Sequence, residues 1–208
     1  DPVEANIDGI NQVQVNVKAD MTFAAALRSI LRQDPDIIMI GEIRDSETAG
    51  IAVKASITGH LVVSTLHTNS AAATITRLED MGIEPYLIAD STVGVIAQRL
   101  VRRLCPKCKR MKYADEIEKD LLSLDKNKEY QIYEPVGCME CNETGYKGRI
   151  GVYEIMTVTK KIKSVISRGG DSEEIKAVAL EEGMSTLRMS ASRYVVDGIT
   201  SVSEMKKI

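Results

Sequence analysis

Ile37-Ile38-Met39-Ile40-Gly41-Glu42 is the stretch that decides the fold. A short, unbroken apolar run suits a strand buried on both faces, and such strands belong to parallel sheets. Leu61-Val62-Val63 repeats the pattern downstream and opens into a polar stretch over residues 64–69. Between the two runs, residues 46–57 read as a helix ending near Gly59. Asn69 or Ser70 starts the next helix, which ends at Met81-Gly82, and residues 85–98 read as helical again. Upstream, Thr22 can cap a helix running through Phe23, Leu27 and Leu31. Asp34-Pro35 ends it, because the residue before a proline avoids the helical region. Residues 10–17 mostly alternate and read as a half-buried strand. Strand alternating with helix predicts an α/β fold around a parallel sheet covered on both faces. Ligands of such sheets sit at the carboxyl ends of the strands. Gly41-Glu42 and residues 64–69 fall there.

Composition bounds the possibilities. The 208 residues are 44% hydrophobic and 27% charged, which excludes wholesale disorder and leaves length for a sizeable core. Aromatic residues make up 4%, with no Trp and a single Phe, so the core is expected to be aliphatic. A net charge of −3 argues against a globally basic nucleic-acid binder but allows a local basic patch. The longest charge-free run, 22 residues between Lys54 and Arg77, holds eight Ser/Thr and both histidines, too polar for a membrane span. The opening Asp1-Pro2-Val3-Glu4 lacks the order of a signal peptide. A cytoplasmic protein is expected, and the abrupt acidic start without Met reads as part of something longer.

The character changes near residue 99. Residues 99–112 carry seven basic residues and no acidic one. All four cysteines fall into two matched pairs, Cys105-x2-Cys108 and Cys138-x2-Cys141, separated by 29 residues. Two C-x2-C turns complete a tetrahedral sulfur shell, which suits a structural zinc ion. Buried or redox-active thiol pairs and an iron–sulfur centre are the other readings. An acidic, helical insert over residues 114–124 fills the spacer. A strand over residues 150–156 precedes three helical stretches with caps at Thr159, Ser172 and Ser201, the last forming a capping box with Glu204. The expected segments are therefore 1–98, 99–149 and 150–208.

Glu42, at the end of a buried strand, sits where nucleoside triphosphatases of the P-loop class place an acid that handles magnesium or the attacking water. A plain solvated glutamate is the alternative. His60 and His67 flank one strand, seven residues apart and so on opposite faces of an ideal strand. His67 lies near the ligand edge, where an imidazole can meet a terminal phosphate. His60 lies at the opposite edge and can equally serve the backbone. Arg28, Arg32, Arg44 and Arg77 can each stabilise phosphate charge or form surface ion pairs.

Together these segments resemble one family, the secretion and pilus-assembly ATPases of type II secretion systems and type IV pili. The resemblance is carried by Asp1-Pro2-Val3-Glu4, by Leu27 through Asp36, by Ile38 through Asp45, and by Thr58-Gly59-His60-Leu61 through Asn69. Gln98 through Cys105 and Thr144-Gly145-Tyr146-Lys147-Gly148-Arg149 match as well. It implies a RecA-like P-loop NTPase core joined to a small tetracysteine zinc-binding subdomain and a helical C-terminal region. It implies ATP, Mg2+ and Zn2+ as cofactors. Residues 1–4 resemble the tail of an acidic box, Glu42 the Walker B carboxylate, and residues 58–69 a His box. On that reading Glu4 is the base-like residue, Glu42 is linked to magnesium and His67 lies near the γ-phosphate. The reverse division between the two acids is also open. His60, Arg44, Arg28, Arg32 and Arg77 become nucleotide-sensing or phosphate-stabilising candidates.

The resemblance further implies a homohexamer at the inner face of the bacterial inner membrane, docked on a polytopic platform protein and driving pilin or pseudopilin assembly. No nucleic acid is expected. The tetracysteine segment resembles that of assembly-side members rather than retraction ATPases. The sequence holds no G-x-x-x-x-G-K-[ST] loop, so the 208 residues alone are expected to hydrolyse ATP negligibly. The competing expectation is a zinc-stabilised docking module for a platform protein or nucleic acid, motivated by the basic run beside Cys105 and Cys108.

Overall fold

The computed structural model of the chain describes residue 3 and residues 5–208. In chain order the regular elements are α1 (Phe23–Ile30), β1 (Ile37–Ile40), α2 (Ser46–Ile57), β2 (Leu61–Ser64), α3 (Ala71–Asp80), α4 (Pro85–Ser91), β3 (Gly94–Leu104) and β4 (Arg110–Tyr113). They continue with α5 (Glu116–Leu121), β5 (Gln131–Glu134), β6 (Tyr146–Thr157), α6 (Lys160–Ser167), α7 (Ser172–Glu181), α8 (Leu187–Val196) and α9 (Val202–Met205). The chain forms two compact units. One takes in the described residues up to Val95 together with Thr157–Ala179, the other Ile96–Met156 with Leu180–Ile208.

In the first unit the Thr22 hydroxyl accepts the backbone N–H of Ala25 and starts α1. Such a cap stabilises a helix by about 1 kcal/mol. After a single 3-10 turn the chain reverses at Asp34, whose φ of +52° lies in the left-handed region. β1 and β2 pair in parallel, with Ile37 opposite Leu61 and Ile40 opposite Ser64. Ile38 and Ile40 are buried, whereas Ile37 and Met39 are 65% and 74% exposed. The expectation of a strand buried on both faces is therefore corrected: among the described residues only one face of β1 is covered. The small residues of α2, Ala49, Ala52 and Ala55, are buried with Leu27, Ile75 and Ile88. From the later segment, α6 packs against α4 and contributes Ile162, Val165 and Ile166 to this core.

Two further expectations change here. Residues 10–15 form no strand, and Val17–Ala19 is a 3-10 turn beside an isolated bridge between Asn16 and Met21. The alternation is present, but a strand needs a ladder partner and none of the described residues supplies one, so Ile10 and Val13 stay exposed. The helix from residue 85 stops at Ser91, and Gly94 opens β3 instead. The β-branched residues Thr92, Val93 and Val95 around a glycine favour that switch.

In the second unit β3 pairs with β6, and β4 with β5 in antiparallel register, Arg110 opposite Glu134. The basic run is thus largely strand. The insert holds α5, closed by a capping box between Asp115 and Glu118. A helix absent from the sequence reading, α8, starts at the Thr186 cap. Helix α7 starts one residue earlier than expected, with Asp171 rather than Ser172 accepting the N–H of the third helical residue, Glu174. The segment after α8 is stitched to β3: the Leu104 N–H donates to the Ile199 carbonyl and the Thr200 hydroxyl to that of Arg102. Ser201 caps α9 as expected, accepting from the Glu204 N–H at 3.4 Å. The Glu204 carboxylate turns away from the expected box. It accepts from the Arg102 backbone N–H at 2.9 Å and from the Arg102 guanidinium at 2.8 and 3.0 Å, with Lys207 beside it. Burial opposes ionisation of Glu204, but Arg102 and Lys207 outweigh it and bring the carboxyl down from 4.5 to about 2.

Because the folded-state value lies below the ordinary one, this stabilisation is full above pH about 4.5 and is lost as pH falls toward about 2. Glu204→Gln is therefore expected to lower unfolding free energy by about 1–3 kcal/mol at pH 7, with a much smaller difference from the parent protein near pH 2. Urea melts at both pH values check it.

Candidate functional site

The parallel register of β1 and β2 sets the first site. With Ile40 opposite Ser64, the next residues of the two strands, Gly41-Glu42 and Thr65-Leu66-His67, emerge side by side. Two cross-links hold the emerging loops together. The Thr65 hydroxyl donates to the Gly41 carbonyl at 2.6 Å, and the Ile43 N–H donates to the Thr65 carbonyl at 3.0 Å. Downstream, Asp45 caps α2 by accepting the Thr48 N–H at 2.7 Å and hydroxyl at 2.9 Å. The loop after His67 is tied to α3 by Thr68, whose hydroxyl meets that of Thr74 at 2.9 Å.

Glu42 is 2% exposed, whereas His67 and Arg44 reach into solvent. Arg44 Nη2 pairs with Glu42 Oε1, and His67 Nε2 lies 3.4 Å from Glu42 Oε2. Neither carboxylate oxygen accepts a hydrogen bond of good geometry, so the pairing is one of charge. The Arg44 guanidinium holds the Glu42 carboxyl below its ordinary value of 4.5; burial opposes this and His67 adds to it. The result is a buried, ionised carboxylate whose two oxygens lack a hydrogen-bond donor of good geometry, flanked by an imidazole and a guanidinium that reach solvent. That arrangement can bind a hydrated divalent cation and an anion beside it.

The other candidates are distributed as follows. Glu4 lies outside the described residues. His60 Nδ1 is 3.0 Å from the Ala55 carbonyl at the far end of β2, serving the backbone. Arg28 pairs with Glu47 at 2.5 Å on the first turn of α2, Arg32 donates to Ser29 at 3.3 Å, and Arg77 is an exposed residue in the last turn of α3. The geometry thus joins Glu42, Arg44 and His67. The sequence reading had not picked out Thr65 and Asp45 for their side chains. Their hydroxyl and carboxylate, each directly after a strand or before a helix, are the signal that locates them.

The second site lies in the other unit. The sulfurs of Cys105, Cys108, Cys138 and Cys141 all lie within 4.8 Å of one another. Three separations, Cys105–Cys138, Cys108–Cys141 and Cys138–Cys141, are 3.9, 3.8 and 3.8 Å. A tetrahedron of thiolates around zinc, with Zn–S about 2.3 Å, has edges of about 3.8 Å. The residues therefore fit zinc without rearrangement. Backbone N–H groups of Gly137, Cys138 and Gly145 point at the sulfurs, at 3.4, 3.2 and 3.2 Å. Burial opposes ionisation of Cys141, but the Cys138 and Gly145 N–H groups prevail and bring the thiol down to about 6. Gly137, at φ +119°, leaves no room for a side chain, since a Cβ there would lie 2.8 Å from the Glu143 carbonyl.

The family described as type II/IV secretion system protein matches residues 1–207. The chain is 54% identical over its whole length to the type IV pilus assembly ATPase PilB of Acinetobacter baylyi and 51% identical to the type II secretion system protein E of Pseudomonas aeruginosa. It spans 36% and 41% of those two relatives. Among solved structures it is similar to the pilus retraction motor PilT with bound ADP, at a TM-score of 0.68 and 26% identity, covering all of this chain and 50% of that one. The likeness to the Legionella pneumophila ATPase DotB, TM-score 0.65 at 22% identity over 99% of this chain and 48% of that one, concerns the fold alone. The fold is RecA-like α/β with the four cysteines clustered.

Arg44→Ala is expected to raise the Glu42 pKa, since it removes the largest stabilisation of the carboxylate and leaves its burial. Carbon-detected NMR titration of the side chain checks the direction. An unchanged or lower value would contradict the assignment of Arg44 as its partner.

Proposed function

The chain belongs to the type II/IV secretion system protein family, and from that membership we propose that the protein built on it hydrolyses ATP to drive pilin or pseudopilin assembly. The observation that carries the reading is the convergence of the Glu42 carboxylate and the His67 imidazole at the carboxyl ends of two parallel strands. Glu42 is the residue that would hold magnesium, through water, and the ion would supply charge neutralisation for the terminal phosphates. His67, exposed and adjacent to Glu42, is proposed to donate a hydrogen bond to the terminal phosphate. Arg44 holds Glu42 ionised in the absence of nucleotide and is a phosphate partner once a cation takes over that task. Glu4 is the proposed base-like residue. Arg28 on α1, Arg32 on the 3-10 turn after it, Arg77 on α3 and His60 are proposed to sense nucleotide or a neighbouring subunit.

The assembly is proposed to be a homohexamer at the inner face of the inner membrane, docked on a polytopic platform protein. Among the described residues no helix is long and apolar enough to cross a membrane. Residues 1–98 are proposed as the motor part, 99–149 as a zinc-binding segment held by Cys105, Cys108, Cys138 and Cys141, and 150–208 as a supporting helical region. Four thiolates close the zinc shell, so its role is structural.

In a protein carrying this sequence with its phosphate-binding loop, Glu42→Gln is expected to reduce ATP turnover at least a hundredfold without changing zinc content; retained turnover would contradict the role of Glu42. The 208 residues alone should show negligible turnover. Elemental analysis should find one zinc per chain. Cys108→Ser with Cys141→Ser should lose it and lower the melting temperature of the second unit. Unchanged metal content would rule out the tetrathiolate site.

A further inference from the structure

Helix α8 and the turn after α5 enclose a groove that neither proposed site uses. Its floor is apolar: Leu122 and Leu124 on one side, Met189 and Val196 on the other. The volume is about 420 Å³ and all of it lies within the second unit. On α8, Met189, Ser192 and Val196 fall on one helical stripe. Arg188 and Arg193 flank that stripe, one on each side, and both are exposed. Their guanidinium groups are anchored by neutral acceptors, Arg188 to the Leu121 carbonyl at 3.2 Å and Arg193 to the Ser185 hydroxyl at 2.8 Å. Neither faces a carboxylate within ion-pair distance among the described residues, whereas Arg102, Arg110 and Arg168 of the same chain each do. Asp197 closes the far end of the groove.

The opposite wall is built at a conformational cost. After α5 the chain makes a Schellman turn, with the Leu124 N–H donating to the Lys119 carbonyl at 2.8 Å and the Ser123 N–H to that of Asp120 at 3.1 Å. Ser123 takes the left-handed position, φ +56°, which glycine normally fills. The turn reverses the chain so that Leu124 lines the groove. Met189 opposite it is 47% exposed.

An apolar trough between two positive charges without carboxylate partners matches an amphipathic segment with acidic edges. We propose that this groove docks a short acidic amphipathic segment of a partner protein, with Leu-, Ile- or Met-type side chains on the trough and carboxylates on Arg188 and Arg193. Bidentate arginine–carboxylate pairs would fix its register, and the flanking charges would select against basic segments. The proposal is independent of the nucleotide reading, because it uses no residue of the first unit.

The test is selection of a random 12-residue peptide display library on the folded chain, with counter-selection on an Arg188→Glu/Arg193→Glu variant. Enriched peptides are expected to carry at least two carboxylates with large aliphatic residues between them. Their affinity, read by fluorescence anisotropy, should fall at least tenfold in the charge-reversed variant and in Met189→Asp. It should also weaken between 0.05 and 0.5 M salt. The milder pair Arg188→Gln/Arg193→Gln removes the charges without adding carboxylates, and should likewise weaken binding in a chain that folds. Peptides without acidic bias, equal binding to the neutralised variant, or no arginine-dependent binder at all would overturn the proposal. Binding confined to phosphatidylglycerol vesicles would do so too, assigning the arginines to a lipid surface instead.

Discussion

The parallel pairing of β1 with β2 is the constraint on which the candidate chemistry depends. A one-residue slip in that register would move Glu42 to the other face of the sheet and away from His67. The register is held from both ends. The Leu61 N–H donates to the Asp36 carbonyl where the strands begin, and Thr65 binds Gly41 and Ile43 where they end. One buried face, carried by Ile38 and Ile40, fixes which side points inward. The carboxylate is therefore delivered to its position by backbone hydrogen bonds rather than by long side-chain contacts. Catalytic groups need this kind of support, because a misplacement of about 1 Å can cost a hundredfold in rate.

The second unit solves a different problem. Its apolar core, with Val101, Ile132, Val152, Met156 and Val195 fully or nearly fully buried, is joined by polar cross-links. Four thiols, a ring of N–H···S contacts and the Arg102–Glu204 pair are among them. Tyr146, one residue after the Gly145 that serves the cluster, carries Arg102 over its ring at 4.0 Å and meets Ser201 at 2.7 Å. Lys109, next to Cys108, donates to the Gly198 carbonyl at 2.8 Å. These contacts tie the tetracysteine knuckle to the segment between α8 and α9.

Much of this was legible in the sequence, for identifiable reasons. The helices α1, α2 and α3 were readable because Thr22, Asp34-Pro35, Gly59 and Ser70 are strong local signals. The four cysteines were readable because spacing alone limits what two C-x2-C turns can do. Burial on both faces of β1 was not readable correctly, since an apolar run does not say how much of a sheet is present to cover it. The end of α4 is marked by Asp90-Ser91-Thr92 and Gly94, but the apolar residues Val93, Val95 and Ile96 beyond them also fit a continuing helix, and only the pairing with β6 makes them a strand. The capping box expected at Ser201 failed for a tertiary reason: Arg102, remote in sequence, binds the Glu204 carboxylate more strongly than a local N–H can. Thr65 went unnoticed because a hydroxyl's task depends on its neighbour, and Gly41 becomes that neighbour only through the sheet.

The most direct test is a crystal structure, with Mg2+ and a non-hydrolysable ATP analogue, of a protein that carries this sequence together with a phosphate-binding loop. The terminal phosphate is expected within hydrogen-bond reach of His67, with Glu42 released from Arg44 and turned toward the water shell of the ion. A nucleotide bound elsewhere, with Glu42 still paired to Arg44 and no contact from His67, would contradict that arrangement.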